Sequence, residues 1–362
     1  MFLQVLRSAK NEQFLLSVLQ AAEQKPQASS FALRLCLFFT EVRHMRKEEF
    51  FYESYGCSAQ IHAVRWIPDK KPRCVVQIIH GMAEYAERYE HFAGFLAEQG
   101  ILVTAHDHLG HGKSLYGKNR EDIGHPLGYF CSQDPATAAL EDIQQLRKIT
   151  RQEYPDLPYI MLGHSMGSFM LRNYLCSYGA DLNGAIVMGT GMLPLALVKC
   201  AKMIAAVLKV CKGEQHPSRL LNAMSFGAYN KQIKDPVTSM DWLSTDSVQV
   251  QKYVEDRLCG FCFTVNGFQT LFELLARLHD GAWLEKMPRK LPVLFVAGGE
   301  DPVGDFGKAV QSVADRFSDM GMEHVTCKLY PGMRHEILNE KDRDQVENDL
   351  LCWIEKQLSA GN

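Results

Sequence analysis

The residues in this sequence best suited to chemistry are a serine between two glycines, an aspartate after a glycine pair, and a histidine in a late turn. Gly163-His164-Ser165-Met166-Gly167 follows an apolar run, Tyr159 to Leu162, and opens a helical pattern that reaches Tyr178. A serine hydroxyl is a weak nucleophile until a base takes its proton and an acid orients the base. Glycines at 163 and 167 permit a sharp strand-to-helix turn, which leaves the Ser165 hydroxyl exposed and the next N–H at the positive end of a helix. Around such a turn the helpers follow in the order serine, acid, histidine. Val293 to Ala297 reads as a strand and Gly298-Gly299-Glu300-Asp301 as the loop after it, so Asp301 stands where the acid belongs. Asp305 competes, but it falls at the entrance to the next helical pattern, where capping is the simpler role. Pro331-Gly332-Met333-Arg334-His335-Glu336 forms a turn after the last strand, and His335 is the expected base. In His80-Gly81-Met82-Ala83-Glu84, Gly81 allows a tight turn, so the N–H of Met82 is expected to join that of Met166 as an oxyanion hole. His80 reads as a loop support and His164 as a residue locked inside the elbow.

A metal-dependent alternative has to be weighed. His106-Asp107-His108-Leu109-Gly110-His111 resembles a two-metal hydrolase motif, yet Gly110 stands where a bridging carboxylate is required. With a serine, acid and histidine set elsewhere, no metal and no cofactor are expected; the segment reads as a loop stiffened by side-chain hydrogen bonds to backbone. Cys259 and Cys262 form a lone Cys-x-x-Cys without a second pair at zinc-ribbon spacing. Eleven cysteines, an odd number scattered through apolar runs such as those around Cys74, Cys176 and Cys327, point to buried reduced thiols.

The elements that must position these residues alternate. Strands are expected at Phe50 to Ser54, Gln60 to Ile67, Cys74 to Ile79, Ile101 to Ala105, Tyr159 to Leu162, Ala185 to Met188, Val293 to Ala297 and Val325 to Tyr330. Between them Tyr85 to Gln99, Ala136 to Glu153, Met166 to Tyr178, Phe306 to Met320 and Arg343 to Leu358 carry apolar residues three and four apart. Asp134-Pro135 is a helix-opening pair. This is an α/β pattern: an eight-stranded, mostly parallel sheet with helices on both faces. From 193 to 284 the rhythm breaks into helical periodicity alone, which predicts a helical cap inserted after strand six, with a core formed by 45–192 and 285–362. Its opening run, Leu193-Pro194-Leu195-Ala196-Leu197-Val198, is expected to line the pocket.

The 362 residues are 46% hydrophobic and carry a formal charge of -3, which suits one large α/β domain and supplies no basic field for nucleic acid. No run of about 18 apolar residues occurs, so no transmembrane helix is expected. The apolar run Phe31 to Phe39 lies late and lacks a cleavage site, which argues against a secretory signal and for a cytoplasmic chain. Residues 1–44 differ in composition from the rest and read as an extension, with Met45 as an alternative natural start. In Leu195 to Lys212 the lysines 199, 202, 209 and 212 fall within one sector of roughly 140°. That stripe is expected either to be a solvated face, with the apolar side packed over the pocket, or to rest on anionic lipid as a peripheral contact.

Taken together, His80 to Glu84, Asp107-His108-Leu109-Gly110-His111-Gly112-Lys113-Ser114, Gly163 to Gly167 and the Asp301 and His335 loops resemble the monoacylglycerol lipase and lysophospholipase branch of the α/β-hydrolases, also called serine aminopeptidase-like. The resemblance spans roughly residues 48 to 358. It implies Asp301 over Asp305, a helical cap over an acyl tunnel, no cofactor, and small lipidic esters of glycerol or glycerophosphate as substrates. Two other readings stay open: an aminopeptidase-like amide hydrolase, which needs an acidic group in its pocket to hold a free amine, and a non-catalytic small-ligand receptor on the same fold.

Overall fold

The computed structural model describes residues 45–115 and 126–360; the extension 1–44, with Phe31 to Phe39 in it, lies outside the described residues. Eight strands form one sheet in the order β1-β2-β4-β3-β5-β6-β7-β8. β1 (Met45–Glu53) pairs antiparallel with β2 (Gln60–Pro68), and β2 pairs antiparallel with β4 (Ile101–His106). The remaining pairings, through β3 (Cys74–Ile79), β5 (Tyr159–His164), β6 (Gly184–Met188), β7 (Val293–Gly298) and β8 (Val325–Tyr330), are parallel. Strands β3 to β7 are buried along their whole length, as expected of parallel strands covered on both faces. β1 begins five residues before the apolar signal at Phe50, because at an edge the charged run Arg46-Lys47-Glu48-Glu49 can pair with β2 and still reach solvent.

Helices cover both faces. On one side α1 (Glu90–Glu98) buries Phe92 and Leu96 beside Val346, Leu350 and Ile354 of the last helix, α10 (Arg343–Ala360). On the other, α2 (Pro135–Glu153) and α3 (Met166–Tyr178) bury Ile143, Leu146, Met170 and Leu171 with Val313 and Phe317 of α9 (Lys308–Asp319). α2 opens as expected, with the Asp134 carboxylate accepting the Thr137 N–H and Pro135 in its first turn.

Between β6 and β7 the chain forms α4 (Leu195–Lys212), α5 (Arg219–Phe226), α6 (Ser247–Glu255), α7 (Val265–Arg277) and α8 (Gly281–Leu284), with short 3-10 turns. α4 keeps its lysines at the solvent as one reading expected, but packs only part of its apolar surface. Val198 and Ala205 point inward, whereas Leu197, Met203, Val207 and Val210 are 59%, 65%, 61% and 87% exposed. The lysines do not form a free stripe: Lys202 pairs with Glu273 at 2.6 Å and Lys209 with Glu214 at 2.8 Å. Glu273 sits on α7 and Glu214 in the loop after α4, so two lysines are tied to neighbouring protein while their side chains stay 42% and 45% exposed. No helix among the described residues is long and apolar enough to cross a membrane.

Candidate active site

β3 and β5 are neighbours, with Ile79 opposite Gly163, so the loops leaving their carboxyl ends start one strand apart. The polypeptide then makes a close turn that only glycine permits. A Cβ on Gly163 would lie 2.4 Å from the Gly167 carbonyl oxygen, and one on Gly167 would lie 2.1 Å from that of Ile79. Ser165, between them, is held at φ +53° and ψ −121°, a left-handed conformation that non-glycine residues adopt at a cost and chiefly where surroundings over-determine it. Its N–H donates to the Met188 carbonyl at 3.0 Å, tying the turn to β6.

Asp301 follows β7, is fully buried, and accepts the Val303 N–H at 2.9 Å through one carboxylate oxygen. Its other oxygen lies 2.9 Å from His335 Nδ1. A carboxylate can only accept, so Nδ1 carries the proton and Nε2 is the nitrogen with a free lone pair. Asp305 is exposed, at φ +47°, and Gly307 rather than Asp305 occupies the N-cap of α9. The ring of His335 also packs 5.1 Å from that of Trp242 in the insertion.

Ser165, His335, Gly81, Met82 and Met166 line one cavity of about 420 Å³. Its remaining wall is largely apolar: Phe169 and Val303 from the core, and Phe226, Tyr229, Met240, Trp242, Phe261, Leu271, Phe272 and Leu275 from the insertion. Of the run 193–198, Leu193 alone lines it; Leu195 and Leu197 face out. The N–H groups of Met82 and Met166 make no backbone hydrogen bond among the described residues. Ala83, at φ +53°, turns the chain after Met82, and its carbonyl accepts the Tyr253 hydroxyl from α6 at 3.1 Å.

The histidine-rich loop is structural. Asp107 accepts N–H groups from Ala86 and Lys113 at 2.8 Å each and faces His62 Nδ1 at 2.8 Å. His80 Nε2 accepts the His108 N–H at 3.0 Å, and the His111 ring turns to the Leu109 carbonyl at 2.9 Å. Among the described residues no His, Cys, Asp and Glu group could hold a metal ion. Burial pushes these rings toward the neutral form, His108 down to about 4 and His111 to about 3. The described cysteines are free thiols; Cys74 and Cys176 are buried as expected, Cys327 is half-buried, and Cys200, Cys211 and Cys352 are exposed.

A cluster of charges beneath the serine escaped the sequence reading. Glu84 accepts the Gly81 N–H at 2.6 Å, the Tyr89 hydroxyl at 2.9 Å and Arg88 at 2.7 Å. Arg88 also grips both carboxylate oxygens of Glu336 at 2.7 and 2.8 Å. His164 meets Glu84 at 3.2 Å through Nδ1 and the His335 carbonyl at 3.3 Å through Nε2. The signals were present, a Glu-Arg pair four residues apart and a glutamate next to His335, but pairing across three loops is not written in local spacing.

Comparison with known proteins places these blocks in a lineage. The family profile described as "Serine aminopeptidase, S33" matches residues 70–342. The chain is 31% identical over 303 residues to the monoacylglycerol lipase of Mycolicibacterium smegmatis, covering 81% of this chain and 92% of that protein. It is 33% identical over 304 residues to human monoglyceride lipase, covering 82% and 86%. A thermostable carboxyl esterase from Bacillus coagulans, solved with glycerol, superposes with a TM-score of 0.79 at 32% identity over 87% of this chain and 99% of the esterase. With a strand-to-helix serine turn, a buried aspartate-histidine pair and these relatives over most of its length, the chain belongs to the serine aminopeptidase family of the α/β-hydrolase fold and is a carboxylic ester hydrolase.

Proposed function

We propose that the chain hydrolyses a monoester of a fatty acid, a monoacylglycerol or a lysophospholipid, through Ser165, His335 and Asp301 and an acyl-enzyme intermediate. The observation that carries this reading is the cavity: Ser165 and His335 in one wall, an otherwise largely apolar lining, and room enough for an acyl chain. In the first half-reaction His335 Nε2 takes the Ser165 proton as Oγ attacks the ester carbon. The oxygen that becomes negative is held by the N–H groups of Met82 and Met166, and the alcohol leaves with the proton from His335. Water, activated by the same nitrogen, then frees the fatty acid. Asp301 keeps Nδ1 protonated, which fixes the tautomer and stabilises the imidazolium. The glycerol-ester chemistry in the names of two relatives supports the substrate class.

The insertion 193–284 serves as the cap of this site, and the outward apolar sector of α4 rests on a lipid surface as a peripheral contact. Leu197, Met203, Val207 and Val210 form one side of a helix whose opposite side is anchored on α7, the arrangement of an interfacial helix. An aminopeptidase reading needs an unpaired acid beside the serine. Glu84 and Glu336 do line the cavity, but Arg88 and His164 already neutralise them. A receptor without turnover has no use for the pairing of Asp301 with His335.

The test is hydrolysis by the full chain of p-nitrophenyl esters from acetate to palmitate, of monoacylglycerol, of lysophosphatidylcholine and of leucine p-nitroanilide, with Ser165→Ala as control. Turnover of the acyl monoesters that disappears in the control is expected. Turnover of the anilide alone, or activity retained in the control, would overturn the reading.

A further inference from the structure

His164 precedes Ser165 and faces away from it, into the buried cluster. Each of its ring nitrogens meets an acceptor. Nδ1 lies 3.2 Å from Glu84 Oε1 and 3.0 Å from the Tyr89 oxygen, whose own proton goes to Glu84 at 2.9 Å. Nε2 lies 3.3 Å from the carbonyl oxygen of His335, which cannot donate. Glu84 is ionised, since it also accepts the Gly81 N–H and Arg88. An imidazolium satisfies all of these acceptors at once, whereas a neutral ring would have to take the Tyr89 proton at Nδ1 beside the Glu84 carboxylate.

The charge has a use. Glu84 and Glu336 are two negative groups and Arg88 one positive, all buried and beside the cavity where a negative oxygen has to form. A neutral His164 would leave one uncompensated negative charge there, opposing that oxygen in a medium that screens weakly. It would also set a nitrogen lone pair against either the Glu84 carboxylate or the His335 carbonyl. The three loops meet at this point: Gly81 through its N–H to Glu84, Ser165 through its neighbour His164, and His335 through its carbonyl and through Glu336.

We propose that His164 is a positioning residue of the reaction: as an imidazolium it locks the Met82 loop, the Ser165 turn and the His335 loop into one rigid body, and its deprotonation at alkaline pH releases them. The proposal rests on the Ser165 and His335 reading of the site. Burial alone would push the ring toward neutrality, but the hydrogen bond and charge of Glu84, the charge of Glu336 and the His335 carbonyl hold its pKa above the ordinary histidine value. The titratable and charged groups around it are Glu84, Arg88 and Tyr89 from the segment after β3, and Glu336 and His335 from the loop after β8, the His335 ring 4.7 Å away. A group with a raised pKa is charged below that value and loses its charge as pH rises through it, so the predicted fall in rate lies on the alkaline side.

The experiment is the pH profile of kcat and KM for p-nitrophenyl butyrate with the full chain, as wild type, His164→Gln, Glu84→Gln and Ser165→Ala. Glutamine can donate one of the two hydrogen bonds and does not titrate. Wild type is expected to show a bell, and His164→Gln a kcat lower by about 10- to 100-fold, little change in KM and no alkaline limb of the wild-type midpoint. Glu84→Gln keeps an acceptor for Gly81 but removes the charge, so its alkaline limb should move to lower pH by about one to three units. A His164→Gln enzyme with wild-type kcat and an unchanged limb would overturn the proposal. Activity in Ser165→Ala would instead overturn the site reading beneath it. Independently of any variant's folding, a 15N-histidine NMR titration of the wild-type chain should show one histidine that keeps both ring nitrogens protonated to a pH above the ordinary histidine midpoint; its absence also refutes the proposal.

Discussion

The role proposed for Ser165 depends on neighbours at atomic range, and single substitutions should separate their parts. Ser165→Ala removes the attacking oxygen and leaves the cavity, so turnover should fall on the order of a millionfold while the melting temperature holds. Asp301→Asn exchanges an acceptor for a donor opposite His335 Nδ1, at 2.9 Å in the native protein, and should cost about 10⁴ in turnover at neutral pH. Asp305→Asn, on an exposed turn, should stay within about twofold. Reversal of the last two results would move the acid to Asp305.

Elements set where those atoms stand. Gly167→Ala would drive a methyl group into the carbonyls of Ile79 and His80, at 2.1 and 2.6 Å, and the strand-helix junction would have to separate. Loss of both turnover and several degrees of melting temperature is expected, in contrast to Ser165→Ala; a stable, active Gly167→Ala would mean the close approach is dispensable. For α4 the exposed apolar sector predicts lipid binding that depends little on salt, because Lys202 and Lys209 are already paired. Met203→Ser, Val207→Ser and Val210→Ser combined should weaken co-sedimentation with vesicles about tenfold or more, while Lys199, Lys202, Lys209 and Lys212 to Gln should change it less. The opposite ranking would restore the lysines as the contact.

Across the whole molecule, the buried histidines make stability depend on acid. His80 and His106 are held well below the ordinary value, His108 at about 4 and His111 at about 3, chiefly by burial, with neighbouring imidazoles adding to it for His80, His106 and His111. These groups are neutral in the folded protein, whereas the unfolded chain protonates them near pH 6.5. Stability is therefore full above that pH and lost as pH falls from about 6.5 toward 4, at about 1.4 kcal/mol per pH unit for each such site. Glu84, held at about 2, works at lower pH: its contribution is present above about 4.5 and is lost as pH falls toward 2. Thermal melts from pH 8 to 4 should show a midpoint that drops steeply below pH 6.5; a midpoint level between pH 7 and 5 would contradict the buried neutral rings.

Local chemistry made much of this protein legible in its sequence. Apolar β-branched runs become strands of the sheet whether central and buried, as in β3, or at the edge, as in β8, and both match their sequence signals residue for residue; Met166–Tyr178 is the helix that follows the serine turn. The candidates Ser165, Asp301 and His335 were visible because each sits at the end of such a strand, a position the run itself marks. What the sequence could not settle depends on which distant groups meet. The lysines of α4 form a stripe on a helical wheel, yet two of them pair with Glu273 and Glu214, and Met203, Val207 and Val210 face outward. The acyl-sized cavity takes its apolar wall from residues 226–275 rather than from the run at 193–198, since packing of the insertion on the core selects which apolar side chains face in. His164, read as a residue locked in the elbow, gains its charge from Glu84, 80 positions earlier, and its place from the His335 carbonyl, 171 positions later. Protonation and orientation are properties of surroundings, and here only the tertiary structure assembles them.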